Sequence, residues 1–415
     1  MRICIISPKS FPVPALKGGA VETLITNFIE QNELYKKLEI EIVTRYDKEC
    51  VGKIKNYKES YFNTVNFNKN IIYCILSKLQ LILKSCFLKK CINKLEKEIY
   101  NRAIISTIKE KNFDFIITDG GNFFDYEWVY KKIDRRKSIL HIHGSMEGIP
   151  FLKENFEYFI CISEFIAGKL LQSGIIKKEN TKLLYNGVLL KNFSKNLDAS
   201  ELKRIKQHYG IKNDEKVILF CGRTVEEKGV KELILAYKKI YTECKAKLMI
   251  VGNSNFANQI VTEYDKELTA ISQSVNDNII FTGHISNNEL YKVYGIADIA
   301  VFPSLCEEAF GLVLIEAMAM GIPIITTKSG AIPEVVTQDC AFVLEKDDKQ
   351  RLINELAISM KKLLEDDDLK NKMSQAGKER AKSFSIEQYY NNFVTILEEL
   401  KEENENRNID ISKCT

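Results

Sequence analysis

The chain is poor in proline and glycine, with 7 and 20 in 415 residues, which excludes collagen-like and low-complexity architectures. An excess of charge of one sign is also missing. Sixty basic and 56 acidic residues leave a net +4, too balanced to mark a nucleic-acid binder by bulk electrostatics, so no nucleic-acid partner is expected. The 11 cysteines are odd in number and form no Cys-x-x-Cys pair, which argues against a disulfide framework. Cys4, Cys161 and Cys221 sit inside apolar runs, as reduced thiols of a cytoplasmic protein do. The opening run from Met1 to Ser7 is far shorter than the roughly 20 residues of a membrane span and reads as a first strand, with no leader ahead of it. What the chain does have is 45% apolar and 28% charged residues, enough for large cores, and a length that suits two domains of about 200 residues each.

Short β-branched runs alternate with helix-periodic segments throughout, the pattern of an α/β protein whose parallel sheets are covered by helices. Strands are expected at 2–6, 39–44, 113–118, 138–142, 157–162 and 181–185, and in a second series at 216–221, 246–251, 278–282, 298–302, 322–326 and 340–344. Two Rossmann-like domains follow, 1–190 and 191–384, with 385–415 as a C-terminal helix and solvated tail. Ligands of such sheets bind beyond the carboxyl ends of the strands, so two facing domains would share one cleft. Residues 69–98 break the pattern, carrying seven Lys and two Glu around apolar runs. They read either as a surface helix pair packed on the sheet or as a basic amphipathic face resting on an anionic membrane.

Four segments carry candidate chemistry. The first is Glu308-Ala-Phe-Gly-Leu-Val-Leu-Ile-Glu316, after the expected strand 298–302. A helix starting near Phe310 would aim its free amides, around Phe310, Gly311 and Leu312, at a phosphate. Glu316 would follow about two turns in. Ionised carboxylates accept hydrogen bonds from sugar hydroxyls, the use proposed for Glu308 and Glu316; the alternative is a dipole-capped helix with Glu316 in water. In the second, Gly222-Arg223 to Lys228-Gly229, two cations in a strand-to-helix loop can clamp a diphosphate, or simply be solvated. Gly18-Gly19-Ala20-Val21-Glu22 opens a helix after the first strand, either as a plain turn or as a close backbone approach to a ligand at Gly19. In Ile139-Leu-His141-Ile-His143-Gly144-Ser145, two of only four histidines end a strand. No Cys or acid lies near them at ligand spacing, so no metal is expected there.

The segment from Glu308 through Glu334 resembles the Glu-x7-Glu region of glycosyltransferase family 4, the Arg223–Lys228 loop resembles that family's diphosphate-binding loop and stands in the right order to it, and the glycine pair and the histidine segment resemble further landmarks of the family. The resemblance implies a GT-B fold and a retaining, metal-independent transfer of a sugar from a nucleoside diphosphate, with UDP the first candidate. It places Glu308 on the donor sugar, Glu316 on the nucleotide ribose, Arg223 and Lys228 on the diphosphate, Gly19 near the donor phosphates, and His143 beside the sugar. The eight-residue spacing to Glu316 selects Glu308 over the adjacent Glu307. The family usually has an apolar residue where Thr224 stands. No cofactor is implied. The acceptor, a hydroxyl of a glycan or lipid-linked glycan in surface polysaccharide synthesis, would be met at the inner membrane face. A nucleotide-sugar epimerase, or a non-catalytic carbohydrate-binding or coat component on the same fold, is the alternative.

Overall fold

A computed structural model describes residues 1–122, 125–144, 152–193, 197–253 and 262–414. Two compact units result: Met1–Gly187 together with Ile386–Thr415, and Val188–Ser385.

The first unit is built on seven parallel strands: β1 (Arg2–Ile6), β2 (Glu39–Arg45), β3 (Ser60–Val65), β4 (Phe115–Asp119), β5 (Ser138–Ile142), β6 (Tyr158–Cys161) and β7 (Thr181–Leu183). Their spatial order is β3-β2-β1-β4-β5-β6-β7. The chain thus builds outward from β1 in one direction and then resumes on its other side at β4, so the reversal of strand order falls between β1 and β4. The strands β4, β5 and β6 are buried along their whole length, the polar Thr118, Asp119, Ser138 and His141 included. β3 is an edge strand with a mixed pattern and is the strand that the apolar runs do not announce.

Four helices of this unit bear on the rest: α1 (Ala20–Tyr35), α2 (Lys48–Ile54), α3 (Ile71–Leu83) and α4 (Cys86–Glu110). The C-terminal helix Ile386–Cys414 returns to this unit rather than standing apart as a tail. Phe28 of α1 packs on the Tyr390 and Phe393 rings at 5.3 and 4.9 Å. The buried Asn32 amide accepts from the Tyr390 hydroxyl at 2.8 Å and bonds both backbone groups of Leu38, so the polar atoms inside this seam are paired.

The helix α4 buries Tyr100 and Ile104, but α3 and the start of α4 leave most of their apolar residues exposed. On α3 only Tyr73 is buried, while Ile71, Leu81 and Ile82 are 76, 79 and 76% exposed, and Phe87 on α4 is 72% exposed. The packed option for 69–98 therefore fails along α3. No helix among the described residues is long and apolar enough to cross a membrane.

The second unit repeats the plan with six parallel strands, β8 (Lys216–Cys221), β9 (Ala246–Val251), β10 (Ile279–Gly283), β11 (Ile299–Phe302), β12 (Ile324–Thr327) and β13 (Ala341–Leu344), in the order β10-β9-β8-β11-β12-β13. Here the reversal falls between β8 and β11. Among the described residues no disulfide forms; Cys4, Cys161 and Cys221 are buried in strands, and burial pushes the Cys161 and Cys221 thiols up to about 12.

Candidate functional site

The two strands beside the reversal in the second unit each end in one of the motifs. β8 runs into Gly222-Arg223 and on to Lys228, and β11 runs into the loop that holds Glu307 and Glu308. The loops are tied by backbone: the amides of Leu305 and Cys306 donate to the Glu227 carbonyl at 2.8 and 3.2 Å. Across this seam the Lys228 ammonium donates directly to Glu308 Oε1, and the Ser304 hydroxyl donates to the same oxygen at 2.5 Å. Arg223 stands exposed at the start of its loop. Thr224, the departure from the family pattern, is buried with its hydroxyl 3.4 Å from the Asp265 carboxylate.

The adjacent acids Glu307 and Glu308 have separate partners. Glu307 accepts from the Lys346 ammonium at 2.7 Å and from the Gly330 amide at 2.6 Å. Lys346 also reaches the Leu305 carbonyl at 3.3 Å and Ser329 at 3.0 Å, so Glu307 and Lys346 brace the loop from behind. Neither Lys346 nor Ser329 is singled out by spacing along the chain.

The helix of the first motif runs over Leu312–Ala319, two residues later than expected, with Phe310 and Gly311 before it. Gly311 is its N-cap in the left-handed conformation, φ 101°, and no side chain caps the first-turn amides. Phe310 is buried with its ring against Phe384 at 5.8 Å, which anchors this turn. Glu316 is the fifth residue of the helix, little more than one turn in rather than two. Its Oε2 accepts from the Tyr294 hydroxyl at 2.9 Å. Burial pushes this carboxyl up to about 7, against the lowering effect of that hydrogen bond. Glu316 is thus half-buried and bonded to Tyr294 rather than standing on a solvated face.

Gly19 and His143 belong to the first unit. Gly19 is the N-cap of α1, and Glu22 in the first turn is buried, with its carboxyl raised by burial and by the neighbouring Asp119. His143 lies just past β5. Its Nε2 is 2.6 Å from Asp119 Oδ1, and His141 Nδ1 is 3.0 Å from the same oxygen. The acid that local spacing does not supply comes from the next strand, since Asp119 and His141 are register partners in β4 and β5. Burial alone would raise the Asp119 carboxyl, but the two imidazoles outweigh it and hold the group below the usual carboxylate range. His141 is fully buried and its pKa is lowered by burial and by His143, so its ring is neutral at neutral pH. An ionised Asp119 therefore accepts from His143 Nε2–H, which fixes the orientation of that ring. Asp119, His141 and His143 are the one group of three potential metal ligands among the described residues with all ligand atoms within 4.8 Å. Ser145, which closes this motif, lies outside the described residues.

Two Rossmann-type units, with a cation–carboxylate pair at the strand-order reversal of the second, make a double α/β architecture of the kind that takes ligands at such reversals. Comparison with known proteins agrees. The sequence pattern of glycosyl transferases group 1 matches residues 202–380. The lipopolysaccharide 1,2-N-acetylglucosaminetransferase of Salmonella typhimurium is 27% identical, over 79% of this chain and 80% of that protein. The capsular polysaccharide biosynthesis glycosyltransferase CapM of Staphylococcus aureus is 30% identical, over 61% of this chain and 67% of that protein. The crystal structure of Anabaena HepE, in complex with UDP and glucose, superposes with a TM-score of 0.71 at 17% identity, covering 95% of this chain and 99% of that one. The chain belongs to the group 1 glycosyltransferases and has the GT-B fold.

Proposed function

We propose that this glycosyltransferase is a retaining, metal-independent enzyme that moves a sugar from a nucleoside diphosphate, UDP first, to a hydroxyl acceptor in surface polysaccharide synthesis. The observation that carries the donor side is the convergence of Arg223, Lys228 and Glu308 at the carboxyl ends of β8 and β11, beside the uncapped helix start at Gly311. Cations and helix amides stabilise a departing diphosphate, the charge that develops as the bond from the anomeric carbon to oxygen breaks. Glu308 accepts hydrogen bonds from donor-sugar hydroxyls and fixes the ring, and Glu316 accepts from the ribose. The acceptor oxygen bonds to the anomeric carbon on the face the diphosphate leaves, and its proton passes to the departing phosphate oxygen. His143, oriented by Asp119, offers Nδ1 or the ring edge to the sugar. The names of the Salmonella and Staphylococcus relatives support a lipopolysaccharide or capsule setting, and HepE with UDP and glucose supports a UDP-sugar.

The acceptor side is a glycan or lipid-linked glycan reached at an anionic membrane. The exposed apolar residues of α3 and the exposed Lys84, Lys89 and Lys90 support this. None of these lysines makes an ion pair among the described residues, so their charge is available to lipid headgroups.

The test is a panel of nucleoside diphosphate sugars in the presence of a chelator, followed by thermal shift and by diphosphate release. Selective stabilisation with slow release by one donor supports the reading. Release unchanged in R223A/K228A, or release that requires an added metal, overturns it.

A further inference from the structure

The first unit has its own strand-order reversal, between β1 and β4, and an open cavity of about 560 Å³ lies there. Lys9 follows β1, Arg45 ends β2, Asp125 follows β4, and Lys94, Glu96 and Lys97 line the cavity from α4. This is the position at which open α/β sheets take ligands, and the volume lies within the roughly 300–1,000 Å³ of small-molecule sites. A second open cavity, lined by Met1, Arg2 and Lys36 among others, sits by the amino ends of β1 and β2, the edge such sheets do not use.

Among the described residues the lining holds four cations and two carboxylates, beside the neutral Ser10, Asn93 and Asn122. Both carboxylates are engaged: Asp125 pairs with Lys9 at 2.8 Å and Glu96 with Arg45 at 3.6 Å. Arg45 is further held by its guanidinium lying 4.9 Å over the Phe67 ring. Lys94 is exposed and makes no ion pair among the described residues. A neutral glycan would give this excess of positive charge nothing to meet, whereas a phosphate would be met by a preset guanidinium and ammonium groups.

Resting on the glycosyltransferase reading above, we propose that this cavity is the acceptor site and that the acceptor carries a phosphoryl group held by Arg45, Lys94 and Lys97. Lys94 lies one turn beyond Lys89 and Lys90 on α4, so the phosphate sits next to the basic stretch of the same helix. Phosphate chemistry of this kind belongs either to a lipid-linked diphosphate or to a soluble sugar phosphate.

Isothermal titration of the full chain carrying R223A/K228A, with inorganic pyrophosphate as the probe, reads the cavity without the donor loop's cations. Binding is expected to persist there and to weaken by about tenfold or more when K94E is added, with K94A intermediate and the melting temperature unchanged. Loss of pyrophosphate binding in R223A/K228A alone, or equal affinity with and without K94E, overturns the proposal. Competition by glucose 1-phosphate supports a soluble phosphorylated acceptor. Competition only by phosphatidylcholine vesicles carrying a polyprenyl diphosphate supports a lipid-linked one, and competition by neither overturns the phosphate class. Failure of the donor reading has a separate signature, UDP-sugar binding that R223A/K228A leaves unchanged.

Discussion

Lys228 and Glu308, 80 residues apart in sequence, meet in a direct side-chain ion pair that joins the loop after β8 to the loop after β11. The pair presets a cation for the diphosphate beside a carboxylate for the sugar. Both side chains keep some contact with solvent, which screens the pair and limits its contribution to about 1 kcal/mol of stability. Its two halves should fail differently. K228M is expected to weaken nucleoside diphosphate binding about tenfold or more while Glu308 keeps its Ser304 donor. E308Q is expected to leave diphosphate affinity unchanged or tighter, because Lys228 is released, yet to lower turnover about 10²–10³-fold. Titration with UDP and initial rates of diphosphate release check both. Normal turnover by E308Q would remove Glu308 from the sugar.

Glu316 should make stability depend on pH in an unusual direction. Its carboxyl is raised from 4.5 to about 7, so between those values the folded chain holds a proton that the unfolded chain releases. Stability is then fully present below about 4.5 and falls as pH rises through about 7. The penalty at pH 8 is on the order of 3 kcal/mol at most, since one pKa unit corresponds to about 1.4 kcal/mol. E316Q keeps an acceptor for the Tyr294 hydroxyl and carries no charge to desolvate. It should melt higher than the parent at pH 8 and equally at pH 4.5, while losing donor affinity. Equal melting temperatures at both pH values would contradict the burial of this carboxylate.

Gly330 holds the Glu308 loop by having no side chain. A Cβ there would lie 2.1 Å from the Glu308 carbonyl oxygen, on backbone that sits at φ +52°. G330A should therefore lower the melting temperature by about 5 °C or more and weaken donor binding with it. Gly210 is the control, with φ +67° and no atom within 4 Å of the point a Cβ would occupy, so G210A should cost only the backbone strain, about 1 kcal/mol. Similar losses in both variants, with donor affinity intact, would show that contact with the Glu308 backbone is irrelevant.

The parts legible in the sequence are those whose signal is local. The buried strands β1, β5, β8 and β9 stand at 2–6, 138–142, 216–221 and 246–251, because parallel strands covered on both faces are continuous apolar runs. β3 is not announced, because Ser60–Val65 lies at a sheet edge where Tyr61 remains exposed and polar residues are tolerated. The pairing of Glu308 with Lys228 and the bracing of Glu307 by Lys346 follow from which strands are neighbours, which no spacing along the chain encodes. Asp119 is the clearest case. Strand adjacency sets it beside His141 and His143, while 22 residues separate it from the nearer histidine in sequence. Once β4 and β5 are known to pair in parallel, the register Asp119↔His141 points to it.

The apolar face of α3 gives the last prediction. Ile71, Ile72, Ile75, Leu79 and Ile82 recur at helical spacing and are all exposed, so a monomer in water leaves this stripe unpaired. Each such side chain gains about 1.5–3 kcal/mol when fully buried, and each nearby lysine gains about 1 kcal/mol near an anionic surface. The chain should therefore float with vesicles containing phosphatidylglycerol and release from them as salt is raised. Changing Lys84, Lys89 and Lys90 to Glu should abolish flotation without lowering the melting temperature, because these side chains are exposed and make no ion pair among the described residues. I72S/I82S should weaken flotation even at low salt, which separates apolar insertion from charge attraction alone. Absence of flotation by the parent chain at low salt would end the membrane assignment of this face.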